Sequence, residues 1–537
     1  MIAARKQNKG SELMMKTRRF NVTGACVNKQ HYMADISDKL DQIIGLIEYG
    51  DYLTINCPRQ YGKTTSLALL DKALSEKYLV LSLSFEGASQ KSYEDDGAFI
   101  KMLYSRIKKQ LQWDAEKSML VLIEEMKDLS IFDELDDFIS MFVTASNKEV
   151  ILMIDECDEG SHNGVFLKFL SVLRNKYQRR TTRGEVTFKS VILAGVHDVR
   201  NLRYKVRGGD EEISNSPWNI AADFKVDMRL NELEVQSLLR DYLSDCPHIK
   251  MDVPLIAGKI HYFTNGHPFL VSYLCKMIDE DFEGEDKWNV PHLEQAVNEL
   301  LLIKTTNFDS LIKNIENHED LATLVRLILI DGESIPFGNS APAMEKGLMY
   351  GVLARSKDRK LIVHNPIYEM KIDSYLTEKI KTENSNVLKL YPNAAYIKAN
   401  GELNMSLILE KYSAYLRDLY DDQQNDFIEN NARLLFSIFM KSIINGTGFM
   451  YREPVISDRR RLDVVITFHQ FKYIVELKIW YGKAYYETAK VQLADYLERE
   501  RLEVGYLIVH DFRKKQHRRN TSEKCTVKNK KLNVYFV

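Results

Sequence analysis

The feature that most constrains this chain is a short stretch at residues 52–70, where an apolar run leads into a glycine-lysine-threonine turn. The run Tyr-Leu-Thr-Ile-Asn is followed by Cys-Pro-Arg-Gln-Tyr-Gly-Lys-Thr-Thr and then by the helical pattern Ser-Leu-Ala-Leu-Leu. This layout is that of a phosphate-binding loop, G-x-x-x-x-G-K-[ST], except that Cys57 replaces the first glycine. The alternative is a strand, turn and helix that contain Gly-Lys-Thr by chance.

The residue types of this loop suit the binding of phosphate. Backbone N–H groups at a helix N-terminus favour negative charge, and Gly62 lets the backbone approach a phosphate without a Cβ in the way. Lys63 can reach the terminal phosphates, and Thr64 can offer its hydroxyl to Mg²⁺.

Length, charge and cysteine usage limit the class of protein. A chain of 537 residues is too long for one ordinary core, so several domains are expected. The formal net charge of −2 excludes a globally basic nucleic-acid binder, and any such binding must come from local patches. The six cysteines are scattered without a C-x-x-C pair, which indicates neither a disulfide framework nor a zinc site. Residues 1–19 form a basic leader without an apolar core, and no apolar run approaches bilayer length, so we expect a cytoplasmic protein with no membrane partner.

A second nucleotide signature lies at residues 149–156, where an apolar run ends in Asp155 and Glu156. An aspartate at the carboxyl end of a strand can hold Mg²⁺ through water, and the adjacent glutamate can polarise the attacking water. The alternative is a buried strand that ends in acids because it reaches solvent. Because a phosphate loop precedes this strand, the two motifs together predict that ATP and Mg²⁺ are bound and that Glu156 is catalytic.

Other apolar runs predict the rest of an α/β domain. Strands at residues 78–85, 190–196 and 223–228 alternate with helices, which favours a doubly wound parallel sheet with its ligand at the carboxyl ends of the strands. Polar residues follow the second of these strands, either as nucleotide sensors or as ordinary surface side chains: His197, Asp198 and Arg200.

From residue 231 the pattern becomes helical. Pro268, two residues after Gly266, starts either a helix whose proline packs on the adenine or a plain interhelical turn. A helical face at residues 321–329 is followed by two short apolar runs around a polar turn, which predicts a winged helix. Such a module binds DNA in some proteins and is a rigid spacer in others.

The carboxyl-terminal part contains a predicted hairpin. The first long helix is expected at residues 423–444, and strands at residues 461–468 and 473–480 are joined by a four-residue turn. Alternation along the second strand places Glu476 and Lys478 on one face.

These strands carry the constellation D-x(n)-E-x-K, formed by Asp463, Glu476 and Lys478. Two carboxylates can hold Mg²⁺ against a scissile phosphate, and the lysine can orient the attacking water and offset developing negative charge. The alternative is a solvated strand face, against which stands the cost of a charge in a strongly apolar strand.

Local positive charge agrees with a polyanionic substrate. Three arginines, at positions 459–461, precede Asp463, and residues 513–531 hold nine Lys or Arg against the single acid Glu523. Contacts of these residues with phosphate would give affinity for nucleic acid without recognition of its base sequence. For residues 513–531, the alternative is a solvated tail.

Several segments resemble the prokaryotic AAA-like ATPases that carry a Pro-Arg-(Gln/Arg)-(Tyr/Phe)-Gly-Lys loop, which are related to the STAND-like signal-transduction class. The resemblance covers roughly residues 20–376 and rests on residues 31–33, 57–65, 154–156, 216–220 and 266–268. It implies an ATPase in which the metal is held by Thr64 and Asp155. The nucleotide-binding residues that it implies are Pro58, Arg59, Gln60, Tyr61, Gly62, Lys63, Thr64, Thr65, Asp155 and Pro268.

The tail resembles a second family, the PD-(D/E)xK nuclease superfamily, with Leu462 in place of the proline. Gln492 and Tyr496, one helical turn apart, match the Gln-x-x-x-Tyr motif of one of its branches. The resemblance implies that both are supporting residues, and that Glu429 is an extra metal-binding carboxylate. It also implies a catalytic set of Asp463, Glu476 and Lys478, with Asp463 and Glu476 as metal ligands.

The sequence thus predicts an α/β protein in which an ATPase controls a nuclease. Nucleic acid is the expected partner, with DNA favoured over RNA, and a homo-oligomer is compatible with this assignment. The alternative is an ATP-dependent switch whose C-terminal domain binds nucleic acid or protein and does not cut. The expected segments are a leader (1–19), a P-loop NTPase core with a doubly wound parallel sheet (20–230), a helical lid (231–300), a winged helix (301–380), a linker (381–400) and a smaller α/β PD-(D/E)xK nuclease-like domain (401–537).

Overall fold

The structure is a computed structural model that divides into two compact units. The first unit is Met1–Ala296 with Met349–Gly351, and the second is Val297–Leu348 with Val352–Val537. The residues that the structure describes are 18–113, 118–160, 163–196, 204–205, 212–213, 218–329, 333–338, 341–383, 396–420, 425–444, 448–451, 464–513 and 522–537.

A parallel sheet forms the centre of the first unit. Within the described residues it has four strands in the order β1-β4-β3-β2: β1 (Leu53–Asn56), β2 (Leu79–Ser84), β3 (Val150–Asp155) and β4 (Ser190–Gly195). Every residue of β3 and β4 is buried, which explains why these strands are continuous apolar runs in the sequence. The parallel sheet that the sequence predicts is confirmed.

Helices cover both faces of this sheet. Leu81 and Ile154 belong to an apolar cluster with side chains of α3, α5 and α6, whereas Val80 and Met153 belong to a second cluster with side chains of α1 and α2. The sheet is therefore doubly wound. The helices are α1 (Ser37–Tyr49), α2 (Lys63–Leu74), α3 (Asp96–Trp113), α4 (Ser118–Ile123), α5 (Phe132–Ala145) and α6 (Gly164–Arg183), with short 3-10 turns at Gln90–Tyr93, Glu124–Asp128 and Cys157–Gly160.

The prediction of a strand at residues 223–228 is wrong. These residues adopt no strand, and Phe224 and Val226 pack instead against the apolar cluster on the α1 and α2 side of the sheet. Packing alone satisfies their alternating pattern, so the pattern does not require pairing. The only further strands described in this region are a two-residue pair, β5 (Tyr204–Lys205) and β6 (Glu212–Ile213).

The predicted helical region after residue 231 is present. It begins with a capping box, in which Asn231 Oδ1 accepts from Glu234 N at 2.9 Å and Glu234 Oε2 accepts from Asn231 N at 2.7 Å. Its helices are α7 (Glu232–Asp245), α8 (Val253–Thr264), α9 (Pro268–Asp281) and α10 (Val290–Leu302).

The second unit begins with helices and a small hairpin. The hairpin is antiparallel and pairs Leu353 with Val363. Helices followed by a hairpin are the element order expected of a winged helix, which stays a prediction. The elements are α11 (Thr306–Glu316), α12 (Glu319–Leu329), α13 (Pro342–Met349), β7 (Leu353–Arg355), β8 (Leu361–Val363) and α14 (Pro366–Glu383).

A mixed sheet dominates the rest of the second unit. Among the described residues its order is β13-β14-β12-β11-β10-β9; β11, β12 and β14 run parallel, and the other neighbours are antiparallel. The elements are α15 (Met405–Tyr420), α16 (Asn425–Ile444), β9 (Gly448–Tyr451), β10 (Val464–Phe468), β11 (Phe471–Ile479), α17 (Lys483–Arg499), β12 (Val504–His510), β13 (Ser522–Val527) and β14 (Lys530–Phe536).

Three expectations for this region need correction. The β10–β11 turn has two residues rather than four, because Phe468 pairs with Phe471 and His469 takes a left-handed φ of 52°. Helix α15 precedes the helix that the sequence singled out as the first. The solvated tail that was the alternative for residues 513–531 is wrong for residues 522–531, which belong to β13, the following turn and β14, and β14 pairs with β12 within the sheet.

Candidate functional site

The phosphate loop lies between β1 and α2. Gly62 is the N-cap of α2 with a φ of 78°, a left-handed conformation that favours glycine. A Cβ at this position would meet nothing within 4 Å, so the loop has open space beside Gly62. A bound phosphate could occupy this kind of space, because the first N–H groups of a helix favour an anion.

The ammonium group of Lys63 is held inside the loop. Lys63 is buried, and its Nζ donates to the carbonyl oxygens of Cys57 at 2.9 Å and Pro58 at 3.0 Å. These bonds direct the positive charge back over the loop rather than toward solvent. Lys63 is thus located where its charge can act on a bound polyanion.

The hydroxyl of Thr64 donates to Oδ2 of Asp155 at 2.7 Å, and Oδ1 of Asp155 accepts from the backbone N of Glu156 at 2.9 Å. Asp155 ends β3 and is buried. A hydroxyl and a carboxylate in direct contact at the carboxyl ends of parallel strands form a donor set that suits Mg²⁺.

Glu156 follows β3 in a left-handed conformation, with a φ of 53°. Burial raises the pKa of its carboxyl above the ordinary value, and the negative charge of Asp155 acts in the same direction, whereas Lys63 opposes the shift. A carboxylate with a raised pKa beside this site is a suitable proton acceptor for a water molecule.

A neighbouring carboxylate, Asp158, ties the ends of β3 and β4 together. The two oxygens of Asp158 accept from Val196 N at 2.9 and 2.7 Å. A Cβ on Gly195 would overlap Asp158 and would lie 2.9 Å from Cys157 Sγ. The glycine is therefore required by the close approach of Asp158.

Cys57, at the position of the missing glycine, is a packed core residue. It is buried in the apolar cluster with Ile55 and Leu67, and burial raises the pKa of its thiol to about 11. Its backbone N donates to Gly195 O at 3.2 Å. The thiol is therefore protonated at neutral pH, and the side chain acts as a small hydrophobe.

A separate group of polar residues lies on β11 of the second unit. Glu476 is 1% exposed, and its Oε1 lies 2.7 Å from Lys478 Nζ. Ile474 on the same face belongs to an apolar cluster with Leu493 and Leu497 of α17, so the ion pair lies on the side of the sheet that α17 covers.

A comparison with known protein families places most of this chain in one family. The sequence model of a family described as AAA-like domain matches residues 26–370. The chain belongs to the AAA-like domain family. The phosphate-loop interpretation is thereby confirmed, and the first unit contains an ATP-binding P-loop domain of the AAA-like type.

Solved structures similar to this AAA-like chain have low identity. A Walker-type ATPase of Pyrococcus abyssi is 13% identical with a TM-score of 0.43, over 66% of this chain and 99% of that one. The ORC1 protein of Aeropyrum pernix in complex with DNA is 11% identical with a TM-score of 0.28, over 65% and 94%. The ORC2 protein of the same organism in its ADPNP-ADP complexes is 13% identical with a TM-score of 0.32, over 64% and 93%. No curated protein matches this chain.

Three nucleotide-site residues predicted for the AAA-like domain are joined by hydrogen bonds, namely Thr64, Asp155 and Glu156. Lys63 directly precedes Thr64, and its ammonium is held by the carbonyl oxygens of the loop. Arg59 is exposed and Gln60 has a left-handed φ of 64°. The hydroxyl of Thr65 accepts from Cys26 N at 3.0 Å, so this residue anchors the segment before α1.

Pro268 begins α9 directly after the turn that follows α8, which fits both alternatives, so its contact with adenine stays a prediction. The residue before it contacts the loop. The rings of His267 and Tyr61 have centroids 4.6 Å apart in an edge-to-face arrangement. Burial lowers the pKa of His267 to about 3, so its imidazole is neutral. Pro58 is covered by Gly351, where a Cβ would lie 2.8 Å from Pro58 Cγ.

Sequence reasoning missed the contributions of Asp158, His267 and Gly351. The glycines at 195 and 351 are a weak signal of close approach, because an isolated glycine often marks such a position. His267 lies within the segment 266–268, which supports the family resemblance but gives a predicted role only to Pro268.

Other predicted residues cannot be placed. The sensor candidates His197, Asp198 and Arg200 lie outside the described residues, as does Asp463, which directly precedes β10. Glu429 lies on α16, and its side chain is outside what the structure describes.

The supporting pair lies on α17, where Tyr496 is buried against the sheet and Gln492 is half-buried. Within the described ranges, no three His, Cys, Asp or Glu side chains form a metal-binding group. Among the described helices, none is both long and apolar enough to cross a bilayer.

Proposed function

We propose that the first unit hydrolyses ATP with Mg²⁺, that the C-terminal domain cuts nucleic acid at a metal site, and that the ATP state controls the cut. The observation that carries the first part is the contact of Thr64 with Asp155 at 2.7 Å beside the buried Lys63. ATP would be held by the loop that includes Gly62 and Lys63, and Mg²⁺ would neutralise phosphate charge between Thr64 and Asp155.

Hydrolysis is assigned to Glu156. Its raised pKa and its position directly after Asp155 suit a residue that takes a proton from water. The half-buried carboxylate of Glu156 would take the proton of the attacking water. Lys63 would stabilise the negative charge on the phosphates between which the bond breaks.

The nuclease assignment is supported by where Glu476 and Lys478 lie in the sheet. Their strand, β11, is an inner strand that is antiparallel to β10 and parallel to β12, with α17 as the crossover. Asp463 directly precedes β10, whose first residue pairs with Val475, the neighbour of Glu476. Glu476 and Asp463 are accordingly proposed as metal ligands, and Lys478 as the residue that orients water.

A second candidate function is favoured by the ion pair itself. Lys478 neutralises Glu476 directly at 2.7 Å, which is the arrangement of a structural pair inside a domain that binds and does not cut. In this candidate, the ATPase is a switch, and the C-terminal domain is a module for nucleic acid or protein.

The ATPase part is tested by radiolabelled ATP binding and phosphate release with the full chain. Lys63→Ala should lower ATP affinity by about tenfold or more, because charge-assisted bonds to phosphate are lost. Lys72→Ala, an exposed lysine on the same helix, is the matched control. Equal affinity of wild type and Lys63→Ala would contradict the assignment.

The nuclease part is tested by incubating plasmid, linear DNA and RNA with Mg²⁺ or Mn²⁺, with and without ATP. Cleavage by wild type that is lost in Glu476→Gln and in Lys478→Ala, purified in the same way, excludes a contaminant and supports the nuclease. Lys72→Ala should cut like wild type. Control by the ATP state requires that Lys63→Ala changes the rate. Binding of nucleic acid without any cleavage favours the second candidate.

A further inference from the structure

An exposed pair of tyrosines lies where β11 gives way to α17. Tyr481 is 72% exposed and Tyr485 is 44% exposed, and their ring centroids lie 5.6 Å apart in an edge-to-face arrangement. In the described part of the chain, neither ring contacts a third aromatic ring. Single exposed side chains are common on folded domains, whereas a contiguous exposed patch such as two aromatic rings in contact marks an interaction site.

The pair is close to the proposed metal site along the strand. Lys478 lies near the end of β11, and Trp480 directly follows the strand, about 7 Å further along the chain by the rise of a strand. Tyr481 is the next residue. Tyr485 is in the first turn of α17, the helix that covers the face carrying Glu476. Lys478 and Tyr481 are three residues apart in the chain, so a nucleic-acid strand bound at Lys478 has an exposed aromatic ring close by in the sequence.

The ring of Trp480 packs against neighbouring side chains and is not available for stacking with a ligand. This ring lies 5.8 Å from that of Tyr486, and the guanidinium of Arg513 lies 4.8 Å above it. Arg513 is in turn held by both oxygens of Asp511, at 2.8 and 2.6 Å. The rings that a ligand can stack on are therefore those of Tyr481 and Tyr485.

The charge around the tyrosines suits a polyanion. Lys483 lies between them in sequence and is exposed, and it makes no ion pair within the described residues. The nearest acid along the helix, Glu487, is paired with Lys490 at 2.8 Å. An exposed lysine between two exposed tyrosines in the sequence supplies both the positive charge and the aromatic rings with which proteins hold unpaired bases and their phosphates.

We propose that Tyr481 and Tyr485, with Lys483, bind the unpaired bases of a single-stranded nucleic acid next to the Glu476–Lys478 site. The proposal rests on the proposed nuclease function and narrows its substrate to single strands or melted ends. Bases inside a duplex are stacked on each other and offer no free face to an exposed ring, whereas unpaired bases do.

The test is fluorescence anisotropy of the full chain in EDTA, so that metal-dependent cutting cannot occur. The probes are labelled single strands of DNA and of RNA of about twelve nucleotides and a DNA duplex of the same length. Tyr481→Ala/Tyr485→Ala should lower single-strand affinity about tenfold or more and leave duplex affinity unchanged. Tyr481→Phe/Tyr485→Phe should retain wild-type affinity, since the ring faces persist, and Tyr49→Ala, an 88% exposed tyrosine on α1, should have no effect.

The proposal is overturned if wild type does not bind the single strands, if the double alanine variant binds them like wild type, or if it loses duplex binding equally. A preference between the DNA and RNA strands identifies which nucleic acid the platform serves. If wild type binds through the tyrosines and cleaves nothing with Mn²⁺, the nuclease fails and the platform stands. If wild type cleaves and the double alanine variant keeps its single-strand affinity, the platform fails alone.

Discussion

Thr64 and Asp155 are joined by a hydrogen bond of 2.7 Å between side chains that are 91 positions apart in the sequence. The bond links the first turn of α2 to the end of β3, the two places where the nucleotide signatures lie. Because Asp155 also accepts from Glu156 N, the arrangement of all three residues depends on one carboxylate. We expect a substitution at Thr64 to change the affinity for ATP with Mg²⁺, and a substitution at Glu156 to change the rate of hydrolysis.

Thr64→Val removes the hydroxyl and keeps the shape of the side chain. We expect ATP affinity in Mg²⁺ to fall about tenfold, because a charge-assisted partner is lost, while affinity in EDTA changes little. Binding is measured by equilibrium titration of labelled ATP under both conditions. Thr182→Val, which removes an exposed hydroxyl on α6, is the control. An equal loss with and without Mg²⁺ would show that Thr64 does not act through the metal.

Glu156→Gln should abolish hydrolysis and leave ATP binding intact, as measured by phosphate release and by binding of labelled ATP.

Glu156→Gln should also change the pH dependence of stability, since burial raises the folded-state pKa of Glu156. A group with a raised folded pKa contributes stability that is present below its unfolded pKa and is lost as the pH rises through the folded value. The variant should therefore melt higher than wild type at neutral pH and equal to it below about pH 4. Melting curves that differ by the same amount at both pH values would contradict this.

Gly195→Ala should destabilise the first unit. Its Cβ would overlap Asp158, which must then release Val196 N. Overpacking of this kind costs about 1–3 kcal/mol. Thermal unfolding measures the effect, and Gly164→Ala, where a Cβ meets nothing within 4 Å, is the control that should leave the melting temperature unchanged. A melting temperature of Gly195→Ala equal to that of the control would disprove the tight contact.

His267 should make the first unit sensitive to acid. Burial lowers its pKa to about 3, so the unfolded chain takes up a proton below about pH 6.5 that the folded chain refuses. Stability is therefore present above pH 6.5 and declines as the pH falls, by at most about 1.4 kcal/mol per pH unit.

His267→Phe keeps an aromatic ring against Tyr61 and should flatten this decline, as followed by unfolding in urea over a pH series. His248→Gln, at an exposed site, should leave the decline as in wild type. If His267→Phe loses stability in acid as steeply as wild type, the imidazole is not the responsible group.

The ion pair of Glu476 and Lys478 should be costly to break. Lys478→Met removes the cation that is paired with the buried carboxylate of Glu476. We expect this substitution to lower the free energy of unfolding by about 3–5 kcal/mol. Glu476→Gln in the same chain should restore most of this loss. Lys472→Met, on the same strand, breaks a half-exposed pair with Glu500 and should cost less than about 1 kcal/mol. Urea unfolding compares wild type, the single variants Lys478→Met, Glu476→Gln and Lys472→Met, and the double variant at 476 and 478. Additive effects of the two substitutions at 476 and 478 would contradict their coupling.

The sequence by itself determined the local elements of the nucleotide site. The turn before Lys63 and the apolar run that ends in Asp155 are recognisable because each is a continuous segment whose residue types have a chemical reason. The hairpin that carries Glu476 was recognisable for the same reason. Its turn was two residues too long, since Phe471 and Lys472 belong to the strand and only the register can reveal that.

Only the tertiary structure decided which distant residues meet. The residues at 223–228 alternate like a strand, yet they pack on the sheet without pairing, because the period of a pattern reports burial and not hydrogen bonding. Asp158, His267 and Gly351 joined the phosphate-loop region through packing across chain distances that no local pattern encodes. Consecutive residues determine the local chemistry of the loop. The residues that hold the loop in place are distant in the sequence, and the packing of the whole first unit determines which of them contact it.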